Sequence, residues 1–199
     1  MCIRSKGILA VFGSMLLFGT ITMAQSKPST NTKTATNTVT ASDRSFMDEA
    51  AQGGMAEVQL GQLAEQNAQS QDVKNFGKKM VEDHSKANDQ LKEIAKENNV
   101  TLPAKLDVKD EATLQRLSKL HGEAFDKAYM KDMVADHKKD IAAFRNEADT
   151  GKDTQVKNWA SQTVSILDGH LKLAEQVNTK VGAETAASKP SAMKNAGKS

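Results

Sequence analysis

Four long stretches of this chain carry apolar residues at steps of three and four, and one proline, Pro103, lies between the first of them and the last. Steps of three and four return side chains to one face of an α-helix, so each stretch reads as a helix with a seam to bury. The first covers about 43–69, with Phe46, Ala50, Gly53, Leu60 and Ala64 on its seam. The second covers about 71–98, with Val73, Phe76, Met80, Ala87, Leu91 and Ile94. The third covers about 123–149, with Phe125, Tyr129, Met133, Ile141, Phe144 and Ala148. The fourth covers about 152–179, with Trp159, Thr163, Ile166, Leu173 and Val177. Four such seams are buried together in a bundle, which predicts an all-α, four-helix-bundle domain over 43–180. Ala, Gln, Lys, Glu, Leu and Met, all helix formers, dominate that region. Ser70 is placed to cap the second helix and Gly151 to end the third. Between the second and third helices lie Asn98-Asn99, Pro103 and an amphipathic stretch, 109–121, which predicts a short extra helix closed off by Gly122.

The flanks are of another kind. Arg4 and Lys6 precede an apolar run from Ile8 to Phe18, and Thr22-Met23-Ala24 places small residues where a signal peptidase reads. Residues 1–24 therefore have the form of a cleaved secretory signal. The run is short of the roughly 20 apolar residues a membrane anchor needs. No twin arginine is present, which points to the general export route. Without Arg4 and Lys6 the 27 Lys+Arg become 25, equal to the 25 Asp+Glu. A neutral chain with no basic stripe predicts no nucleic-acid partner. The single cysteine, Cys2, lies inside the signal, so the exported form is expected to have no disulfide and no thiolate ligand. Residues 25–42 are low-complexity Thr, Ser, Asn and Lys, and 181–199 look the same, so both are expected to be disordered. No further stretch is long and apolar enough to span a membrane, and no alternating strands suggest a barrel.

The seams have gaps, and the gaps carry the chemistry. Glu57 stands between Gly53 and Leu60, His84 between Met80 and Ala87, His137 between Met133 and Ile141, and His170 between Ile166 and Leu173. Three of the four histidines thus occupy expected core positions; His121 lies in the connector. Glu57 is 13 residues before Ser70 and His84 is 14 after it, so the first two share a height. If the connector before the third helix crosses the length of the bundle, all four lie within about 7 Å of one height at 1.5 Å per residue. A simple up-down path would drop His170 below the others. Buried imidazoles and a buried carboxylate are costly unless they pair or bind a metal. One carboxylate with three imidazoles suits a divalent Fe, Zn, Mn or Cu ion.

A purely structural account is that Glu57 hydrogen-bonds the histidines in a polar layer that fixes helix register. Asp83 and Asp136 point about 100° away from the histidines they precede, which makes them solvated or supporting groups. Met80, Met130 and Met133 read as core filler, and Tyr129 and Trp159 as core aromatics. No Ser-His-Asp set, phosphate loop or CxxC motif offers a catalytic reading. Lys74–His84 also aligns without gaps on Lys127–His137, and Val73–Phe76 echoes Val156–Trp159. Such echoes arise either by duplication or because helical seams resemble one another.

Phe76, Met80-Val81-Glu82-Asp83-His84, Leu102-Pro103, Phe125-Asp126, Tyr129, Met133-Val134, His137 and His170-Leu171 together resemble the exported bacterial family called domain of unknown function four-one-four-two. The resemblance covers about 45–178 and implies a ferritin-like fold, in keeping with the crossover path. Members are often labelled predicted outer membrane protein, which implies an envelope address, periplasmic or peripheral to the outer membrane. Diiron bundles use Glu-x-x-His on two helices with further Glu. Here Val81, Val134 and Leu167 stand three residues before the histidines, which points to a mononuclear site. The expectation is an exported ferritin-like bundle that binds one metal ion through Glu57, His84, His137 and His170. The alternative is a non-catalytic structural or interaction protein of the envelope; oxidase or peroxide chemistry would need a redox metal.

Overall fold

A computed structural model describes residues 38–188, with side chains up to 184. The expected signal segment, spacer residues 25–37 and residues 189–199 lie outside the described residues. Among the described residues there are five helices and no strand: α1 Ala41–Asn67, α2 Gln71–Glu97, α3 Val108–Leu117, α4 Gly122–Thr150 and α5 Thr154–Ser188.

Local chemistry sets the ends. Thr40 and Asp43 form a reciprocal capping box at the start of α1, each side chain bonding the other residue's main-chain N–H. Ser70 takes the N-cap position of α2, but its side chain makes no capping bond. Asn99 takes a left-handed φ of 54° just past α2, a conformation Asn tolerates better than most side chains. Asp107 caps α3 by accepting from the Asp110 N–H. Gly122 opens α4 with φ 60° and Gly151 ends it. Asp153 accepts from the N–H groups of Gln155 and Val156 at the head of α5. Beyond the expected end at 179, α5 continues to Ser188, because Val181 finds a buried place in the core.

The helices pair as α1 with α2 and α4 with α5; α1 also lies against α4, and α2 against α5. Hydrogen bonds fix the directions. Asn67, at the end of α1, donates to the carbonyl of Leu120, just before α4. Gln155, at the start of α5, bonds Glu97 and Asn98 at the end of α2. So α2 and α4 run parallel, and the connector between them travels the length of the domain, carrying α3 against α1 and α4.

Two buried aspartates tie the hairpins together. Asp43 of α1 accepts from the N–H groups of Lys152 and Asp153 in the α4–α5 turn. Asp126 of α4 accepts from those of Gln69 and Ser70 in the α1–α2 turn. Burial would raise the Asp43 carboxyl, but hydrogen bonds from the Lys152 and Thr40 main chain, the Thr40 hydroxyl and Glu147 hold it below its usual value. Glu147 moves the other way, to about 7, through burial, its hydrogen bond to Asp43 and the charge of Asp43. The two share one proton, carried by Glu147.

The apolar core falls into two clusters. One gathers Leu60, Phe76, Met80, Phe125, Tyr129 and Met133; the other gathers Met47, Leu91, Phe144, Trp159 and Leu167. Two expected seams shift by one residue. In α1 the buried strip runs through Met47, Ala51 and Gly54, with Phe46 and Ala50 partly buried at its edge, because α1 faces both α2 and α4. In α5 Leu167 is buried and Ile166 is 45% exposed, since one step along a helix turns a side chain by about 100°. Near one end α1 and α2 almost touch: a Cβ on Gly61 would lie 2.6 Å from the Gly77 carbonyl oxygen.

Gly61→Ala should therefore force the two helices apart and cost about 1–3 kcal/mol by urea denaturation. Gly169→Ala, where a Cβ meets nothing within 4 Å, should instead gain roughly 0.5–1 kcal/mol. The Asp43–Glu147 pair sets a pH dependence. Burial and Asp43 push the Glu147 carboxyl up to about 7 in the folded protein from an ordinary 4.5, so its contribution is whole below about 4.5 and is lost as pH rises through about 7. Glu147→Gln should accordingly overtake the wild type in stability as pH rises across that window, and parallel curves would refute the shared proton.

Candidate metal centre

Between the two apolar clusters lies a polar layer. Glu57 comes from α1, His84 from α2, His137 from α4 and His170 from α5, and all four are buried. The three histidine rings sit with centroids 5.4–5.9 Å apart. One ring nitrogen from each lies within 4.8 Å of the others, so the trio could hold a metal ion. Tetrahedral metal–nitrogen bonds of about 2.1 Å set their nitrogens about 3.4 Å apart, so an ion held by all three would draw the rings closer together.

Each ring is held from its far side. His137 Nδ1 donates to the Met133 carbonyl at 2.9 Å, leaving the Nε2 lone pair without a partner. His170 Nε2 donates to the Asp83 carboxylate at 2.7 Å, leaving Nδ1 without one. Lys79 bonds the same Asp83 oxygen at 2.8 Å. His84 Nε2 is also buried without a partner. A carbonyl or carboxylate on one imidazole nitrogen fixes the tautomer and aims the other lone pair, the usual support of a ligating histidine.

The electrostatics keep these rings neutral. Burial, with help from His137 and His170, brings His84 down to about 3. Burial and His170 bring His137 down to about 4. Burial lowers His170 as well, against the opposing pull of Asp83. Burial would raise Asp83, but its bonds to Lys79 and His170 hold it below its usual value. At neutral pH, acceptor lone pairs of His137 and His170 are thus buried without partners in one layer with the His84 ring.

Glu57 stands apart from the trio. Its Oε1 lies 3.8 Å from His137 Nδ1, on the edge of the ring that already carries the proton, and its Oε2 has no partner. Burial raises its carboxyl well above the usual range, and the charges of Asp140, Asp136 and Asp110 add to that. Tyr129 is also fully buried with no partner for its hydroxyl. A cavity of about 390 Å³ reaches Glu57 and His84 from the side of α3. Of the supporting residues, Asp83 sits one position before a seam histidine, and helical geometry points it toward α5. Asp43 had a readable signal in Thr-x-x-Asp. Asp126 has none, because its partners are main-chain groups brought in by another hairpin.

The chain matches the family described as Domain of unknown function (DUF4142) over residues 28–177. A crystal structure of a DUF305 fragment from Deinococcus radiodurans shares its fold, with a TM-score of 0.65 and 16% sequence identity over 72% of this chain and 99% of that one. No curated protein matches the chain.

Tyr129→Phe tests the dryness of the layer. Removing a buried hydroxyl that bonds nothing should leave stability unchanged or raise it by about 1 kcal/mol. A loss of more than about 1 kcal/mol in urea titration would mean that the hydroxyl is bound.

Proposed function

The chain belongs to the DUF4142 family, and for this member we propose an exported, ferritin-like four-helix bundle, with α3 as the extra helix of its connector, that holds one divalent transition-metal ion in its core. His84, His137 and His170 are the ligands in this reading. Asp83, held below its usual range, supplies negative charge that offsets the ion, and Glu57 adds to it where the ion drives off its proton. The signal-like residues 1–24 support export and a periplasmic or envelope address. No described helix is long and apolar enough to cross a membrane.

The carrying observation is the set of unpartnered lone pairs. A polar layer kept only for helix register would be satisfied from within, since an orphaned buried acceptor costs about 1–3 kcal/mol. Here the bonds that are made, to Met133 and Asp83, orient the rings, the nitrogens left over have no partner, and one nitrogen of each ring lies within 4.8 Å of the others. That arrangement suits a cation better than it suits a self-contained layer. Three imidazoles favour Zn(II), Cu(II) or Fe(II) over Mg(II) or Ca(II). The bound ion would supply Lewis acidity, and redox chemistry if it is copper or iron. The protein's own residues fix the rings and balance the charge.

Native protein, purified without chelator, should carry about one transition-metal ion per chain by elemental analysis, and a His84→Ala/His137→Ala variant should carry none. EDTA should lower the melting temperature of the wild type, because an ion bound only by the folded state stabilises it by RT ln(1 + [L]/Kd). Equal, negligible metal in both proteins with an unmoved melting temperature would return the layer to a register device.

A further inference from the structure

We propose that the cavity that opens beside α3 and ends at Glu57 and His84 is the path by which a divalent cation reaches the three histidines, with Asp136, Asp140 and Glu57 as its waypoints. The proposal rests on the metal-centre reading above and adds a route to it.

The cavity links solvent to the polar layer. Its outer wall includes the exposed Asp107, Lys109 and Lys139, and its inner wall the buried Glu57, His84 and Leu167. Six carboxylates line it against two lysines. They come from three separate elements: Glu49 and Glu57 from α1, Asp107 and Asp110 from the head of α3, and Asp136 and Asp140 from α4. Asp136 and Asp140 are four residues apart and so share one face of α4. Asp136 adjoins His137 in sequence, which brings the acidic face next to a ligand.

Carboxylates gathered in a half-buried cleft repel one another, and the fold bears that cost. Glu57 shows it most directly: it is 4% exposed, its Oε2 has no partner, and it lines the same cavity as Asp110, Asp136 and Asp140. Phe46, Phe144 and Trp159 form apolar walls, which focus a field rather than screen it. A divalent cation relieves the repulsion and moves down the gradient toward the imidazoles.

The acids are placed to pass a cation on rather than to keep it. Among the described residues, the histidines are the group whose ligand atoms converge; the carboxylates do not gather around a point. Oxygen ligands bind these borderline ions less tightly than imidazole does, so affinity rises along the route. Lys109 guards the mouth: its ammonium pairs with Asp136 at 3.4 Å while its side chain is 62% exposed, a weak contact that an arriving cation can displace. This gives α3 a purpose beyond cover. One of its ten residues, Leu117, is buried, while its first turn sets Lys109 and Asp110 over the opening.

The test is stopped-flow uptake of Co2+ by the full-length apo-protein, followed by the visible absorption of the bound ion. At low ionic strength Asp136→Asn/Asp140→Asn should slow association by about ten-fold or more, with the same final spectrum and stoichiometry. Added salt should slow the wild type toward the variant's rate. Lys109→Gln, which leaves the acids in place, should speed uptake and stands as the independent test if the double variant folds poorly. A double variant that binds Co2+ fully at the wild-type rate, or a Lys109→Gln rate at or below the wild type's, overturns the route and leaves the centre intact. A double variant that no longer holds Co2+ at equilibrium makes these acids ligands and also overturns it. A wild type that binds no Co2+ removes the centre and the route together.

Discussion

The register of the domain depends on two buried aspartates that reach across from one hairpin to the other. Asp43 grips the α4–α5 turn and Asp126 grips the α1–α2 turn, so each hairpin holds the other's bend at its main chain. Main-chain amides at a turn have fixed positions, and a carboxylate accepting two of them tolerates little sliding. A shift of one residue along a helix is about 1.5 Å of rise and 100° of rotation. That rotation would carry a histidine off the interior face. The clamps therefore do more than hold the ends, since they bring four polar side chains from four helices to a single height.

That layer works against the stability of the domain. It divides the apolar core into two clusters, and it buries ring nitrogens without hydrogen-bond partners. Buried groups in this state are costly, and native folds keep few of them without a use. The supporting bonds are equally telling. Asp83, Lys79 and the Met133 carbonyl orient two rings whose other nitrogens are buried without partners. Acceptors left without donors are the opposite of what a self-satisfied hydrogen-bond network would choose.

The helical class, the helix positions and the three histidines were readable in the chain because a helical period repeats over many residues, so a polar gap in it stands out. Where a seam lay one residue away, the reason is tertiary. Ile166 and Leu167 are equally apolar, and only the neighbours of α5 decide which is buried. In α1, contact with two helices widens the buried strip beyond a single seam. Glu57 was legible as a core acid, but its place on the protonated edge of His137 depends on a rotamer and on the Met133 carbonyl, neither of which periodicity encodes. Asp126 and Glu147 lie near the two ends of α4, and periodicity gives no sign that they are buried. Their burial comes from turns supplied by the other hairpin.

The crossover connector has a consequence for how the molecule is divided. Cut anywhere between α2 and α4, the chain becomes two helical hairpins of similar length with no covalent tie. One would carry Glu57 and His84, the other His137 and His170, and each would also carry one aspartate clamp that the other needs. Neither piece holds a usable site alone. The polar layer is thus a junction shared between halves, and an ion held there would bind each half to the other.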